Sequence, residues 1–235
     1  MRTIQIRSAS IVGFALLLLA GSVSAQDKIT TTGLLSPLEV QQLMSHGEPG
    51  DQARLAAHFT ALADRYAADA KRHTAMAGAS VGNPSRNLNT GLNGHCRRLA
   101  TLNTQSAATA REMATYHQQL AKGASATPPS GGGPFHGVPT VQPSDEALSA
   151  LAANARTAAD HQQLQAYFLE LAKRYTREAA EHTALARTYR GLPRDPTGGL
   201  AMAKHCDQLA ATARAEAKEA NAAAAMHEAL ATSAR

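Results

Sequence analysis

The sequence predicts an all-α protein made of two copies of a long helical hairpin. Of its 235 residues, 51 are alanine, while tryptophan is absent and only four phenylalanines and five tyrosines are present. Alanine is the strongest helix former, whereas strands need β-branched and aromatic side chains. The chain also repeats itself internally. We expect tandem duplicated long helical hairpins, each with a short leading helix, packed as a four-helix-bundle-like array.

The first element is an export signal. Arg2 and Arg7 precede an apolar run over residues 11–20, and small residues lead up to Ala25. This pattern predicts a signal peptide over residues 1–25, cleaved after Ala25, and a periplasmic or secreted protein. The run is about half of the ~20 residues that a membrane span needs, so we expect no transmembrane span.

The charge of the chain is too small to indicate a nucleic-acid partner. Loss of Arg2 and Arg7 with the signal peptide lowers the formal charge from +5 to +3. Acidic and basic residues also alternate along the helical segments, as a solvated helix face requires. A nucleic-acid-binding protein would instead concentrate its basic residues on one surface.

A tandem repeat organises the rest of the chain. A shift of 109 residues aligns Asp51–Ala77 with residues 160–186, and 13 of the 27 positions are identical. After a one-residue difference in the loop, a shift of 110 aligns the second long helix of each copy. Repetition on this scale predicts a duplicated structural unit.

The repeat also sets the predicted boundaries. The first helical-hairpin unit covers residues 26–121 and the second covers 144–235. Residues 122–143 hold five of the ten prolines and five glycines, which predicts a linker. The short leading helices are predicted at Pro37–Ser45 and Asp145–Asn154. A single hairpin buries too little apolar surface to be stable alone, so we expect the two hairpins to pack on each other.

Each long helix has one packing face. In the first long helix, large apolar residues recur at spacings of four and three from Leu55 to Met76, and the second copy repeats this rhythm. Thr157, three residues before Asp160, predicts the start of the third long helix. Gly191 predicts its end. Tyr66 and its repeat counterpart Tyr175 are expected to fill the core.

Histidines recur on these packing faces in equivalent positions. Antiparallel pairing of each hairpin places His73 opposite His95 and His182 opposite His205. The same register predicts two histidine–aspartate core pairs at the far end of the hairpins: His117 with Asp51, and His227 with Asp160.

Two interpretations of the first histidine layer stay open. Asp69 and Glu178 each precede a layer histidine by four residues, which places acid and imidazole on one helix face. Imidazole and carboxylate groups together suit Zn²⁺, Cu²⁺ or Ni²⁺. The predicted ligands are Asp69, His73, His95, Glu178, His182 and His205. Alternatively, these histidines are hydrogen-bonded parts of the core and hold no ligand. Non-covalent haem ranks below a metal ion.

The two cysteines, Cys96 and Cys206, occupy equivalent positions in the repeat. Export permits a disulfide, and an approximate two-fold axis between the hairpins would bring equivalent residues together. The alternative is a pair of free thiols, with a thiolate at Cys96 if it lies in the first turn of its helix. The other histidines lack a counterpart and are predicted to be exposed: His46, His58, His136 and His161.

The second copy resembles exported bacterial helical proteins built from one or two such units. The residues that carry this resemblance are Thr157–His161, Tyr175, His182, His205-Cys206 with Leu209, and His227. The first copy departs from the pattern, with Pro49-Gly50 in place of the threonine and Gln52 in place of His161. The resemblance covers most of the mature chain and implies the helical fold, but no activity.

The sequence contains no phosphate-binding loop, nucleophile elbow or covalent haem attachment motif, so we do not expect an enzyme. The leading hypothesis is an exported protein that binds a transition metal through its repeated histidines and acids. The alternative is a structural or partner-binding helical module without a ligand. A partner-binding module predicts an exposed apolar surface on the outside of the bundle.

Overall fold

The computed structural model describes residues 34–81, 86–122, 143–192 and 196–234, and every regular element in these ranges is an α-helix. The all-α prediction is confirmed. The helices are α1 (Pro37–His46), α2 (Pro49–Val81), α3 (Arg86–Lys122), α4 (Asp145–Asn154), α5 (Ala158–Arg190) and α6 (Pro196–Ser233). None of these described helices is long and apolar enough to cross a bilayer. The predicted signal peptide and linker residues 123–142 lie outside the described residues.

Local sequence signals account for the helix ends. The Thr157 hydroxyl accepts the N–H of Asp160 at 3.2 Å, and the Asp160 carboxylate accepts the N–H of Thr157 at 2.9 Å, so α5 begins with the predicted capping box. Such a cap stabilises a helix by about 1 kcal/mol. Gly191 ends α5, as predicted. Gly47 ends α1 with a φ of 70°, a conformation that glycine adopts without strain.

The long helices form two antiparallel hairpins, α2 with α3 and α5 with α6, and the hairpins join where α3 packs on α6. The expected packing of one hairpin on the other is therefore present. The short helices cross between the copies. Helix α1 lies against both α2 and α5, and α4 packs mainly on α2. Each leading helix thus covers part of the other copy.

The core has two apolar clusters, one toward each end of the array. One contains Phe59 and the other contains its repeat counterpart Phe168, and both rings are fully buried. Full burial of such a side chain stabilises the fold by on the order of 2–3 kcal/mol. Between the clusters lies a layer of buried and partly buried polar groups, which we call the central polar layer: Arg65, Tyr66, Asp69, Ser106, Arg174, Tyr175, Glu178 and Glu216.

Helix α6 approaches the end of α5 closely at Gly199. A Cβ atom placed on Gly199 would lie 2.7 Å from the carbonyl oxygen of Tyr189. That distance is shorter than any normal contact, and a backbone oxygen cannot rotate away. Glycine is therefore required here to let the two helices meet.

Candidate functional site

The predicted acidic ligands, Asp69 and Glu178, face arginines. Arg174 of α5 donates to Asp69 of α2 at 2.5 Å, and Arg65 of α2 donates to Glu178 of α5 at 2.8 Å. The partners in these two ion pairs exchange places under the repeat, so an approximate two-fold axis relates the pairs. Arg72 binds the second oxygen of Asp69 at 2.7 Å. The two acids therefore join the hairpins and do not face a common ion.

The layer histidines, His73 and His182, lie buried next to this network. Burial and the neighbouring arginines lower the pKa of each imidazole to about 3, so both are neutral at physiological pH. The Nε2 atom of His182 lies 3.3 Å from the hydroxyl oxygen of Tyr66. The ring of His73 packs near that of Tyr167, with 6.4 Å between the ring centroids. Tyr66 and Tyr175 are fully buried, as predicted.

His95 and His205 contact the opposite hairpin. The Nδ1 atom of His95 pairs with Glu219 of α6, and the Nδ1 atom of His205 lies 3.3 Å from the Glu112 carboxylate of α3. Both histidines lie where α3 packs on α6. The predicted ligand set of each unit, Asp69 with His73 and His95 and Glu178 with His182 and His205, is thus not assembled into a three-ligand site. Among the described residues, no three histidine, cysteine, aspartate or glutamate side chains are arranged to hold a metal ion.

The predicted disulfide is wrong, and its alternative, a pair of free thiols, is confirmed. Cys96 and Cys206 are free thiols, buried in different core clusters. The equivalent residues that meet near the two-fold axis are Ser106 and Glu216, whose side-chain oxygens are 3.5 Å apart. Each cysteine precedes one of these residues by ten positions in antiparallel helices, which places the thiols about 30 Å apart at ~1.5 Å per residue. Burial raises the pKa of both thiols to about 12, which also rules out a thiolate at neutral pH.

The predicted pair of His117 with Asp51 is replaced by a pair with the next residue, Gln52. The Nδ1 atom of His117 lies 2.6 Å from the amide oxygen of Gln52, and its Nε2 atom lies 2.7 Å from the Tyr189 hydroxyl. Since an amide oxygen only accepts, Nδ1 carries the proton and Nε2 accepts from Tyr189. Adjacent residues of a helix point ~100° apart, so an error of one residue in the predicted register gave Asp51 in place of Gln52 as the partner of His117. Asp51 instead lies 3.8 Å from His46.

The predicted pair of His227 with Asp160 is wrong for the same reason. The partner is again the next residue, His161, and the two Nδ1 atoms are 3.2 Å apart. Asp160 caps α5. His161 is 4% exposed, which contradicts its predicted exposure.

His58 is the other histidine whose predicted exposure is wrong, since it is 7% exposed. Its Nδ1 atom accepts the N–H of Leu35 at 2.9 Å and so fixes the chain just before α1. Burial lowers its pKa to about 4. His46 is exposed, as predicted, and His136 lies outside the described residues.

Glu216 of α6 is a buried acid that the repeat pattern did not single out, because its counterpart in the first copy is Ser106. Its side chain is inaccessible to solvent, and one carboxyl oxygen has no hydrogen-bond partner in the described structure. Burial, with the Glu178 carboxylate nearby, raises its pKa to about 8. Glu216 is therefore protonated at neutral pH, in the middle of the central polar layer.

A groove of about 580 Å³ lies between α4 and α5, and we call it the α4–α5 groove. It forms because α4 packs mainly on α2 and touches α5 over a short stretch. Leu148, Leu151 and several alanines line it, with Glu170 and Arg177 among its charged residues. A smaller pocket of about 340 Å³ lies beside His117.

Comparison with known proteins gives no relative: no protein-family model, curated protein or solved structure matches the chain.

Proposed function

We propose that this chain is an exported, non-enzymatic helical module that binds a partner protein in the α4–α5 groove. The observation that carries the proposal is an apolar groove of about 580 Å³ with charges of both signs along it. The occupant is a short segment of the partner that inserts apolar side chains and has polar flanks. Export is inferred from the sequence of residues 1–25 alone.

The size and lining of the groove support this function. A volume of about 580 Å³ falls within the range typical of binding sites, ~300–1,000 Å³. Ala147, Ala150 and Ala166 are exposed and leave the apolar wall accessible. The carboxylates and guanidinium groups along the groove include both signs of charge, so they favour a segment with polar flanks over a strongly charged ligand.

Tyr167 contributes an apolar part of the groove wall. Its side chain lines the groove and is 7% exposed. Its hydroxyl oxygen is closed to solvent and has no hydrogen-bond partner among the described residues, so it is not offered to a bound segment. Burial raises the pKa of Tyr167 above its usual range, so the hydroxyl stays protonated at neutral pH.

The buried polar groups support a structural role for the core and no catalytic one. Asp69 and Glu178 are engaged by arginines, and His117 is bonded through both ring nitrogens. Both thiols are protonated at neutral pH, which makes them poor nucleophiles. Transition-metal binding by the six predicted residues is not favoured, because no three of them are arranged around an ion and the two acids are engaged by arginines.

The test is selection of groove-binding peptides from a random library displayed on phage. Ala166→Trp should block the groove and abolish binding of the selected peptides. Ala57 is the repeat counterpart of Ala166 and is also exposed, so Ala57→Trp is the matched control and should bind normally. Tyr167→Phe keeps the ring in the groove wall and should bind the selected peptides like the wild type, because the hydroxyl is not accessible from the groove. If no selected peptide distinguishes Ala166→Trp from Ala57→Trp, the groove is not a binding site.

A further inference from the structure

The second copy contains a pair of buried imidazoles that no predicted site includes. His161 lies in the first turn of α5 and His227 near the end of α6, and their Nδ1 atoms are 3.2 Å apart. The rings stack with 5.4 Å between centroids and an interplanar angle of 26°. Phe168 stacks on the other side of His227, with 5.9 Å between centroids. Helix packing thus brings two strong metal ligands together.

Both rings can present a lone pair. Burial lowers the pKa of His227 to about 3, and burial also lowers that of His161, so both are neutral at physiological pH. In the metal-free pair, the Nδ1–H of one ring donates a hydrogen bond and the Nδ1 of the other ring accepts it. The Nε2 atom of His227 has no hydrogen-bond partner among the described residues. That nitrogen can take the proton when Nδ1 binds an ion, because a neutral imidazole protonates either nitrogen.

The distance fits two ligands on one ion. Imidazole nitrogens bind Zn²⁺ at ~2.1 Å, and two such bonds with their nitrogens 3.2 Å apart enclose an angle of about 100°. This angle lies between the tetrahedral and octahedral values. The nitrogen separation therefore fits a shared ion; the rings would turn so that both lone pairs point to it, and water would complete the coordination.

The equivalent position in the first copy lacks the second imidazole and so cannot hold an ion in this way. Gln52 occupies the position of His161, and its amide oxygen accepts the Nδ1–H of His117. Tyr189 holds the Nε2 atom of His117. The repeat counterpart of Tyr189 is Ser80 of the first copy, whose hydroxyl donates to its own helix at Ala77. Only the second of these two places offers paired imidazoles.

We propose that His161 and His227 form a binding site for one divalent transition-metal ion, of the class of Zn²⁺, Ni²⁺ or Cu²⁺. Neutral imidazole suits these three ions, whereas Mg²⁺ and Ca²⁺ prefer oxygen ligands. The site is separate from the α4–α5 groove, and loss of peptide binding there would leave it intact.

Zn²⁺ titration of the mature protein, purified without a histidine tag, tests the site by competition with a chromogenic chelator. The wild type should bind one Zn²⁺ per chain. His161→Gln reproduces the arrangement of the first copy and should bind Zn²⁺ at least tenfold more weakly. His117→Gln is the matched control and should bind like the wild type. Gln52→His should add a second site.

NMR of the wild-type imidazole nitrogens gives a second measurement that needs no variant. Zn²⁺ should shift the Nδ1 resonances of His161 and His227 and leave those of His117 unchanged. The proposal is overturned if the wild type binds no Zn²⁺, if His161→Gln binds as tightly, or if the shifts appear at other histidines.

Discussion

The buried carboxyl of Glu216 makes the stability of this protein depend on pH in a way that one substitution should remove. Glu216 faces Ser106 on α3, and the charges of Glu178, Arg174 and Asp69 act on its pKa. Glu216→Gln keeps the shape of the side chain and removes the ionisable proton. We expect the variant to be more stable than the wild type at neutral pH.

The size of the effect follows from the difference in pKa between the two states. The pKa of Glu216 is about 8 in the folded protein and 4.5 in the unfolded chain. Between these values the folded protein holds a proton that the unfolded chain releases, so stability falls as pH rises from 4.5 to 8. At 1.36 kcal/mol per pKa unit, this costs about 1 kcal/mol at pH 5 and about 3 kcal/mol at pH 7. Glutamine has no ionisable proton, so Glu216→Gln does not lose this stability.

Urea unfolding of both proteins between pH 5 and pH 8 measures the difference directly. The advantage of Glu216→Gln should grow from about 1 kcal/mol at pH 5 to about 3 kcal/mol at pH 7 and level off above pH 8. Glu228→Gln, on the exposed face of the same helix, is the control and should show no comparable change. A constant difference between Glu216→Gln and the wild type across this range would refute the argument.

Two further predictions concern the thiols and the glycines. Cys96 and Cys206 should react with a thiol reagent such as Ellman's reagent only on unfolding, because both are buried with a pKa of about 12. The unfolded protein should then show two reactive thiols per chain. Rapid labelling of the folded protein would contradict this. Gly199→Ala should lower the melting temperature because its Cβ would lie 2.7 Å from a backbone oxygen, whereas Gly78→Ala, with open space around it within α2, should raise stability by about 1 kcal/mol. Equal effects of the two substitutions on thermal unfolding would show that the close approach at Gly199 is not maintained.

The helices themselves were predictable because their signals are local. Thr157 with Asp160, Gly191 and the apolar spacing from Leu55 to Met76 each act within a few residues along the chain. The repeat also identified the equivalent residues correctly. Helix propensity, capping and periodicity therefore predicted the all-α class and the short leading helices with little error.

The side-chain partners were less predictable, because they depend on rotation about the helix axis. One residue of register changed the partner of His117 from Asp51 to Gln52 and that of His227 from Asp160 to His161. Both errors have the same size and direction in the two copies. The position of the neighbouring helix determines which of two adjacent residues becomes the partner, and the residue spacing along one helix does not specify that position.

The contacts between the two hairpins could not be predicted from the sequence. Repeat symmetry predicts that some equivalent residues meet at an axis, but not which ones. The structure places Ser106 and Glu216 there, so the cysteines, ten residues away on each helix, end up far apart. The same axis explains why Asp69 faces Arg174: an arginine one turn before each acid meets the acid of the opposite copy.

The crossing of the leading helices bears on how this chain arose. A single copy would lack the cover that α4 gives to α2, and its Arg65 and Asp69 would have no opposite partners. Two separate copies related by a true two-fold axis would supply both the covering helix and the ion-pair partners, because the arginine of each copy would bind the aspartate of the other. The architecture is that of a symmetric homodimer fused into one polypeptide. Fusion allows the two halves to change independently, as the glutamine at position 52 and the histidine at position 161 already show.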